Sequence, residues 1–202
     1  MPLAREIYQE GLRLPPILLV RQGVLDEGLM RLILANVRTP EEREGDLRAQ
    51  LMAMERGAVR LREALSRYGL SRLQTNVDAL RAYASKMMRA SLRALPDGRS
   101  CLEDALDEGA TVRVAVTVRG DTATVDFTGT DPQVDGPVNA NLAITISAVF
   151  YVFRCLLGED VPANAGLLES ISIIAPEGTL VNAKAPAAMA ADTTPTRISF
   201  AR

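Results

Sequence analysis

Histidine and tryptophan are both absent from the 202-residue sequence, and aromatic rings come from only four phenylalanines and four tyrosines. Without histidine the chain contains no Ser-His or Cys-His catalytic pair and no His-ligated metal site of its own. Its two cysteines, Cys101 and Cys155, lie in unlike contexts with no CxxC spacing, which favours buried or free thiols over a disulfide or redox pair. No run of apolar residues is long enough for a bilayer: the stretch Leu142 to Leu157 is interrupted by Thr145, Ser147 and Arg154 and falls short of about 20 residues. Arg5 and Glu6 break any apolar signal segment at the start, so a cytoplasmic chain is expected. The net charge of −2, with both signs spread along the chain, provides no broad positive field, and neither nucleic acid nor a membrane is an expected partner.

What is present describes a folded domain of class α+β. Apolar residues make up 48% and charged residues 24% of the chain, and no linker, repeat or low-complexity tract divides it. A single unit over residues 1–202 is therefore expected. Near the start, "PPILLV" (Pro15 to Val20) reads as a short strand and "LDEGLMRLILANV" (Leu25 to Val37) as a short helix. From Asp46 the pattern sharpens, because Leu47, Leu51, Met54, Ala58, Leu61, Leu65 and Tyr68 follow at alternating steps of 4 and 3. Gly69 closes this heptad seam, and Ser71 with Gln74 reads as a capping box opening a second helix. Leu73, Val77, Leu80, Ala84, Met87 and Ser91 repeat the same steps until "PDG" at Pro96 to Gly98, so an antiparallel helical hairpin is expected over about 46–95. Arg72, Arg81, Lys86, Arg89 and Arg93 against Asp78 give its second helix a basic face, read as solvated or as a protein-docking surface.

A β-hairpin is expected over about 111–128, where Val112, Val114, Val116 and Val118 alternate with polar or small residues and a Gly120-Asp121 turn leads into Ala123, Val125 and Phe127. That turn sets Val118 opposite Ala123 and Val116 opposite Val125, with every apolar residue on one face. "RGD" at Arg119 to Asp121 is read as the turn itself. Leu142 to Leu157, apolar nearly all round and followed by Gly158, is expected to be a buried helix, and Ile171 to Ala175 a further short strand.

Chemistry is sought in "DFTGTDPQVDGPVNAN" (Asp126 to Asn141), which joins the second hairpin strand to that helix. Gly129, Pro132, Gly136 and Pro137 with Asp131 and Asp135 fit two successive surface turns. Asn139 and Asn141 instead stand at the mouth of that helix, where Asn141 fits a cap beside free first-turn N–H groups, with Thr145 one turn further in. A second cluster, "VPANAG" (Val161 to Gly166), lies beyond the other end of the helix, and a third, "AADTTPTRISFAR", contributes Asp192, Thr193, Thr194 and Arg197. No activated nucleophile, phosphate loop or acidic metal-binding loop is present in the sequence, and no catalytic residue is assigned.

Five segments give the chain a family resemblance: "IYQEGLRLPPILL", "GDLRAQLMAMERGAVRL", "LPDG", "VDFTGTDPQVDGPVNAN" and "IAPEGTLVN". In order and spacing they resemble the hydantoinase B/oxoprolinase family, the B-type subunits or domains of ATP-dependent hydantoinases and 5-oxoprolinases, related to a subunit of acetone carboxylase. The resemblance implies that ATP, bound on an A-type partner subunit, phosphorylates a lactam or hydantoin carbonyl oxygen before ring opening. It makes Asp126, Gln133, Asn139, Asn141 and Arg197 candidates for lining a small cyclic amide, with the two asparagines on the amide and Arg197 on a carboxylate. Family members are longer, with a His- and Asp-rich stretch, linked to a divalent metal in the carboxylase relatives, ahead of the matching region. The present chain is expected to be an internal or truncated portion, without a metal site of its own and inactive alone. A docking fragment, an acetone-carboxylase-like subunit and a homo-oligomer remain open alternatives. Alanines at Ala190 and Ala191, where the family has glycine, are a departure from the pattern.

Overall fold

The computed structural model describes residues 4–107, 109–158 and 160–189. In chain order the elements are α1 (Ile7–Glu10), β1 (Val20–Arg21), β2 (Val24–Leu25), α2 (Glu27–Leu34), α3 (Pro40–Tyr68), α4 (Leu70–Arg93), β3 (Gly98–Ala105), β4 (Thr111–Arg119), β5 (Thr122–Asp126), α5 (Leu142–Arg154), a 3-10 turn (Ala165–Leu168) and β6 (Ile171–Ile174). The class is α+β. The chain forms two compact units, one drawn from Met1–Glu10 with Leu80–Arg202 and the other from Gly11–Ala79.

In the smaller unit the strand expected from Pro15 is confined to a two-residue ladder, Val20↔Leu25 and Arg21↔Val24. Pro15 and Pro16 have no N–H to give a ladder, and positive φ at Gln22 (53°) and Gly23 (81°) makes the tight turn that suits a two-residue hairpin. Asp26 caps α2 by accepting from the Leu29 N–H, and Met30 and Ile33 on its inner face are buried. α3 runs 29 residues without burying one; it packs against α2 and lies beside the segment Ile17 to Val20.

The antiparallel packing expected of the two long helices is corrected here. Both helices form, but Gly69 alone joins them, and an antiparallel helical pair needs a loop of about two to five residues. Within the smaller unit their seams do not face: Met54, Leu61 and Val77 are all exposed. α4 begins at Leu70, so Ser71 lies inside the helix rather than opening a capping box.

The larger unit is built on a four-stranded sheet in the order β3-β4-β5-β6. The β4–β5 hairpin has the register expected, Val118↔Ala123 and Val116↔Val125, around Gly120 at φ 57°. β6 joins β5 in parallel, a pairing that requires a long crossover, here carrying α5. β3 was not foreseen, because its eight residues, all exposed, carry no apolar alternation. Charged Arg99, Glu103 and Asp104 suit this outer strand.

The core gathers Ala84, Met88 and Leu92 of α4, Ala123 and Val125 of β5, Val149 and Phe153 of α5, and Val161, Leu167 and Ile171. α5 departs from expectation by burying one stripe only, Thr145, Val149 and Phe153, and by ending at Arg154. Ile144, Tyr151 and Val152 on its other side are exposed, and so are Cys101 and Cys155. The basic face of α4 is a tether: Arg81 pairs with Glu169, and Arg89 and Arg93 both reach Asp121 in the hairpin turn. No helix among the described residues is long and apolar enough to cross a membrane.

Candidate functional site

Because β5 and β6 are parallel neighbours, their carboxyl ends lie side by side, and the segments that follow them leave from one edge of the sheet. The two segments are laced by backbone hydrogen bonds. Phe127 N–H donates to Ile174 O (2.8 Å), Gln133 N–H to Gly178 O (2.9 Å) and Leu180 N–H to Asp131 O (3.0 Å). Ala140 N–H donates to Leu180 O (2.7 Å) and Ala183 N–H to Ala140 O (2.9 Å). Crevices beyond the carboxyl ends of adjacent strands are where such sheets bind ligands. The N-terminal segment joins the same edge: Ile7 N–H donates to Pro186 O, Met189 N–H to the Glu10 carboxylate, and Arg5 pairs with Asp135.

Four of the five candidate residues lie on the segments that form this junction, and each already holds backbone. Asn139, 3% exposed, is the most committed. Its Oδ1 accepts from Val134 N–H (2.8 Å), while its Nδ2 donates to the carbonyls of Val134 (2.9 Å), Gly136 (2.8 Å) and Ala188 (3.0 Å). Gln133 grips Lys184 from both sides, accepting from its N–H at 2.8 Å and donating to its carbonyl at 3.4 Å. Asn141 caps α5 by accepting from Ile144 N–H at 3.1 Å, as its position in the sequence suggested. Asp126 accepts from Thr128 N–H at 2.9 Å, closing a local turn. The fifth, Arg197, lies outside the described residues, as do Ala190, Ala191, Asp192, Thr193 and Thr194.

Electrostatics separate Asp126 from the others. The Thr128 hydroxyl foremost, then its N–H, and the charge of Arg99 hold the Asp126 carboxyl below the usual aspartate value. Arg113, which the strand register placed diagonal to Asp126, turns instead to Glu103 through two hydrogen bonds, to Gly129 O at 2.6 Å and to Asp131 at 3.4 Å. Asp126 is thus an anion engaged by both the hydroxyl and the N–H of Thr128, while Asn141 at the mouth of α5 uses its Oδ1 as the helix cap.

Sequence reading passed over Thr130, marked Asp131 only as a turn residue and marked Thr145 only by its place one turn into α5. Buried Thr130 both accepts from Arg113 N–H (3.0 Å) and donates to Arg113 O (2.9 Å), and Asp131 accepts from Thr111 N–H (2.8 Å). Thr145 donates from inside α5 to Val181 O at 2.5 Å. The only signal was their place beside or within the turn-rich run. Asn164, in the second polar cluster, caps the 3-10 turn through Gly166 N–H at 2.8 Å. Gly166 there lies so close to α4 that a Cβ would collide with the Arg81 carbonyl.

Among the described residues no three His, Cys, Asp or Glu side chains gather to hold a cation. The run from Asp126 to Asn141 carries three aspartates and no lysine or arginine, the opposite of a phosphate cradle. The residues present therefore fit neither group.

Comparison with known proteins gives consistent matches. The family model described as Hydantoinase B/oxoprolinase matches residues 1–200. The caprolactamase subunit beta of Pseudomonas jessenii is 38% identical over 194 residues, which cover 92% of this chain and 33% of that protein. The crystal structure of the ATP-dependent caprolactamase from the same organism superposes with a TM-score of 0.84 at 36% identity, over 92% of this chain and 33% of that one. The 5-oxoprolinase of Saccharomyces cerevisiae is 30% identical over 204 residues, 93% of this chain and 16% of that protein. Nucleotide-free acetone carboxylase has a TM-score of 0.80 at 14% identity, over 92% of this chain and 27% of that one, a likeness of fold alone. The chain spans about a third of the length of the relatives it matches first.

Proposed function

The chain belongs to the hydantoinase B/oxoprolinase family, and from that premise we propose that it is a portion of the B-type subunit of an ATP-dependent hydrolase of cyclic amides. The substrate class is hydantoins, 5-oxoproline or related lactams, with ATP bound on an A-type partner. The observation that carries this reading is the laced junction at the carboxyl ends of β5 and β6, where the family-matching segments converge on neutral amide donors and acceptors.

Within the proposed pocket the residues divide their work. Asp126 offers carboxylate acceptor capacity beyond its Thr128 bonds and Asn141 its N–H₂, the acceptor and donor that a cyclic amide N–H and C=O require. Gln133 and Asn139 hold the surrounding backbone in place, and Arg197 is proposed as the fork for a substrate carboxylate. Ring opening takes place on the assembled enzyme, and the 202-residue chain alone is inactive.

The test is to purify the chain alone, the parent B subunit, and the parent with its A-type partner, then assay ATP-dependent opening of hydantoin, 5-oxoproline and caprolactam. Turnover is expected only from the assembled parent, and Asn141→Ala in that enzyme is expected to raise KM with folding intact. Turnover by the chain alone overturns its proposed inactivity. Bicarbonate-dependent carboxylation without ring opening overturns the hydrolase reading.

A further inference from the structure

We propose that α3 is a dimerisation helix, which pairs antiparallel with the α3 of a second copy of the chain. Three observations in the smaller unit lead there, and none depends on the reaction. First, α3 keeps a strict alternation of 4 and 3 through Leu51, Met54, Ala58, Leu61, Leu65 and Tyr68, the spacing of a coiled-coil seam. Yet none of its residues is buried: Leu51, Ala58 and Leu65 are half-buried, and Met54 (64%), Leu61 (55%) and Tyr68 (44%) are exposed. A sustained heptad repeat specifies another helix as its cover.

Second, charge selects a second copy of this helix and one direction for it. Along the seam, Glu55 and Arg62 occupy equivalent flanking positions one heptad apart, and neither has an ion-pair partner among the described residues. Other charges on the helix are paired locally, as in Arg43 with Asp46, Arg48 with Glu44 and Arg60 with Glu63. When two copies run antiparallel with Ala58 opposite Leu61, Met54 faces Leu65 and Leu51 faces Tyr68, six apolar layers in all. In that register Glu55 of each copy meets Arg62 of the other, twice by symmetry. On the opposite flank Gly57 meets Ala64, two small residues that let the helices approach closely. A parallel pair would set Arg43 against Arg48 and leave Glu55 and Arg62 without opposite charges.

Third, the register supplies a socket for its outermost layer. Beside Leu51 is a half-open, mainly apolar groove of about 290 Å³ between the segment Ile17 to Val20 and Leu47, Gln50, Leu51 and Met54 of α3. A cavity of about 150 Å³ already admits a benzene ring. Tyr68 of the second copy, opposite Leu51, places its ring in this socket, and Gln50 offers its hydroxyl a partner.

The test is sedimentation equilibrium of the 202-residue chain and four variants. The wild type is expected to be a dimer at micromolar concentration. Glu55→Arg and Arg62→Glu singly put like charges together at both symmetric contacts and are expected to weaken dimerisation about tenfold each. The double swap Glu55→Arg/Arg62→Glu is expected to return the wild-type constant, which a general loss of folding cannot do. Leu61→Glu is expected to abolish the dimer with helical circular dichroism unchanged. A monomeric wild type at 100 µM (about a hundredfold above the expected range), as a partner of another kind on this seam would give, overturns the proposal. So does a double swap that stays as weak as the single changes.

Discussion

The junction beyond β5 and β6 and the long helix α3 are opposite solutions to the problem of exposed groups. At the junction a short polar run closes on itself, and Asn139 satisfies four backbone groups with a single buried side chain. α3 has an apolar seam and 29 residues, yet buries none of them. Irregular backbone cannot enter a folded interior unless its N–H and C=O groups are paired, so the junction has to be finished within the chain. A helix satisfies its own backbone, so its apolar stripe can be left for another molecule to cover. Polar content therefore marks the internally completed region of this protein, and apolar periodicity marks the one awaiting a partner.

The sharpest way to break this contrast is to truncate one apolar residue in each region. Phe153→Ala removes a core ring from α5 and is expected to cost about 3–5 kcal/mol. Leu61→Ala on α3, 55% exposed, is expected to change stability by less than about 0.5 kcal/mol. Both are read from urea midpoints at chain concentrations low enough to exclude pairing. Comparable losses would mean that α3 is already covered within the chain.

The next largest effect is expected from a polar residue. Asn139→Ala strands the Val134 N–H and leaves the carbonyls of Val134, Gly136 and Ala188 without their buried donor, a loss expected to cost about 3 kcal/mol. Urea unfolding measures it, and hydrogen exchange should show faster opening around Val134 with α3 unaffected. An effect below about 1 kcal/mol would mean that water replaces the asparagine, and that the junction is less closed than its hydrogen bonds imply.

How much of this was legible in the sequence follows from the range of the forces involved. The β4–β5 register was readable because alternation and a two-residue turn are local, and the Asn141 cap because its partner is three residues away. The heptads announced two helices, but the spacing could not say what covers a seam, and the one-residue joint at Gly69 keeps them from covering each other. β3 escaped because its eight exposed residues carry no hydrophobic alternation. Asn139 was singled out from its place at the mouth of a helix, but its contact with Ala188, 49 residues on, depends on the parallel pairing of β5 and β6. Hydrophobic patterning foretold α5 as buried all round, whereas only the stripe of Thr145, Val149 and Phe153 faces the core.

The smallest expected effect sharpens the distinction within the junction, between side chains that only hold backbone and one that also keeps a charge. Thr128, through its hydroxyl and then its N–H, and Arg99 hold the Asp126 carboxyl below the ordinary aspartate value, which is about 3.9 in an unfolded chain. A carboxylate whose folded value is depressed adds stability that is fully present above the unfolded value and is lost as pH falls through the folded one. Asp126→Asn keeps an oxygen for the Thr128 N–H but removes the charge. The wild type should therefore be the more stable protein at pH 7, and the gap in urea midpoint should close as pH is lowered past about 4. A gap that is constant with pH would show that the charge contributes nothing and that Asp126, like Asn139, only ties backbone. A closing gap leaves Asp126 as the anion of the junction, a charge that Asn139 does not supply.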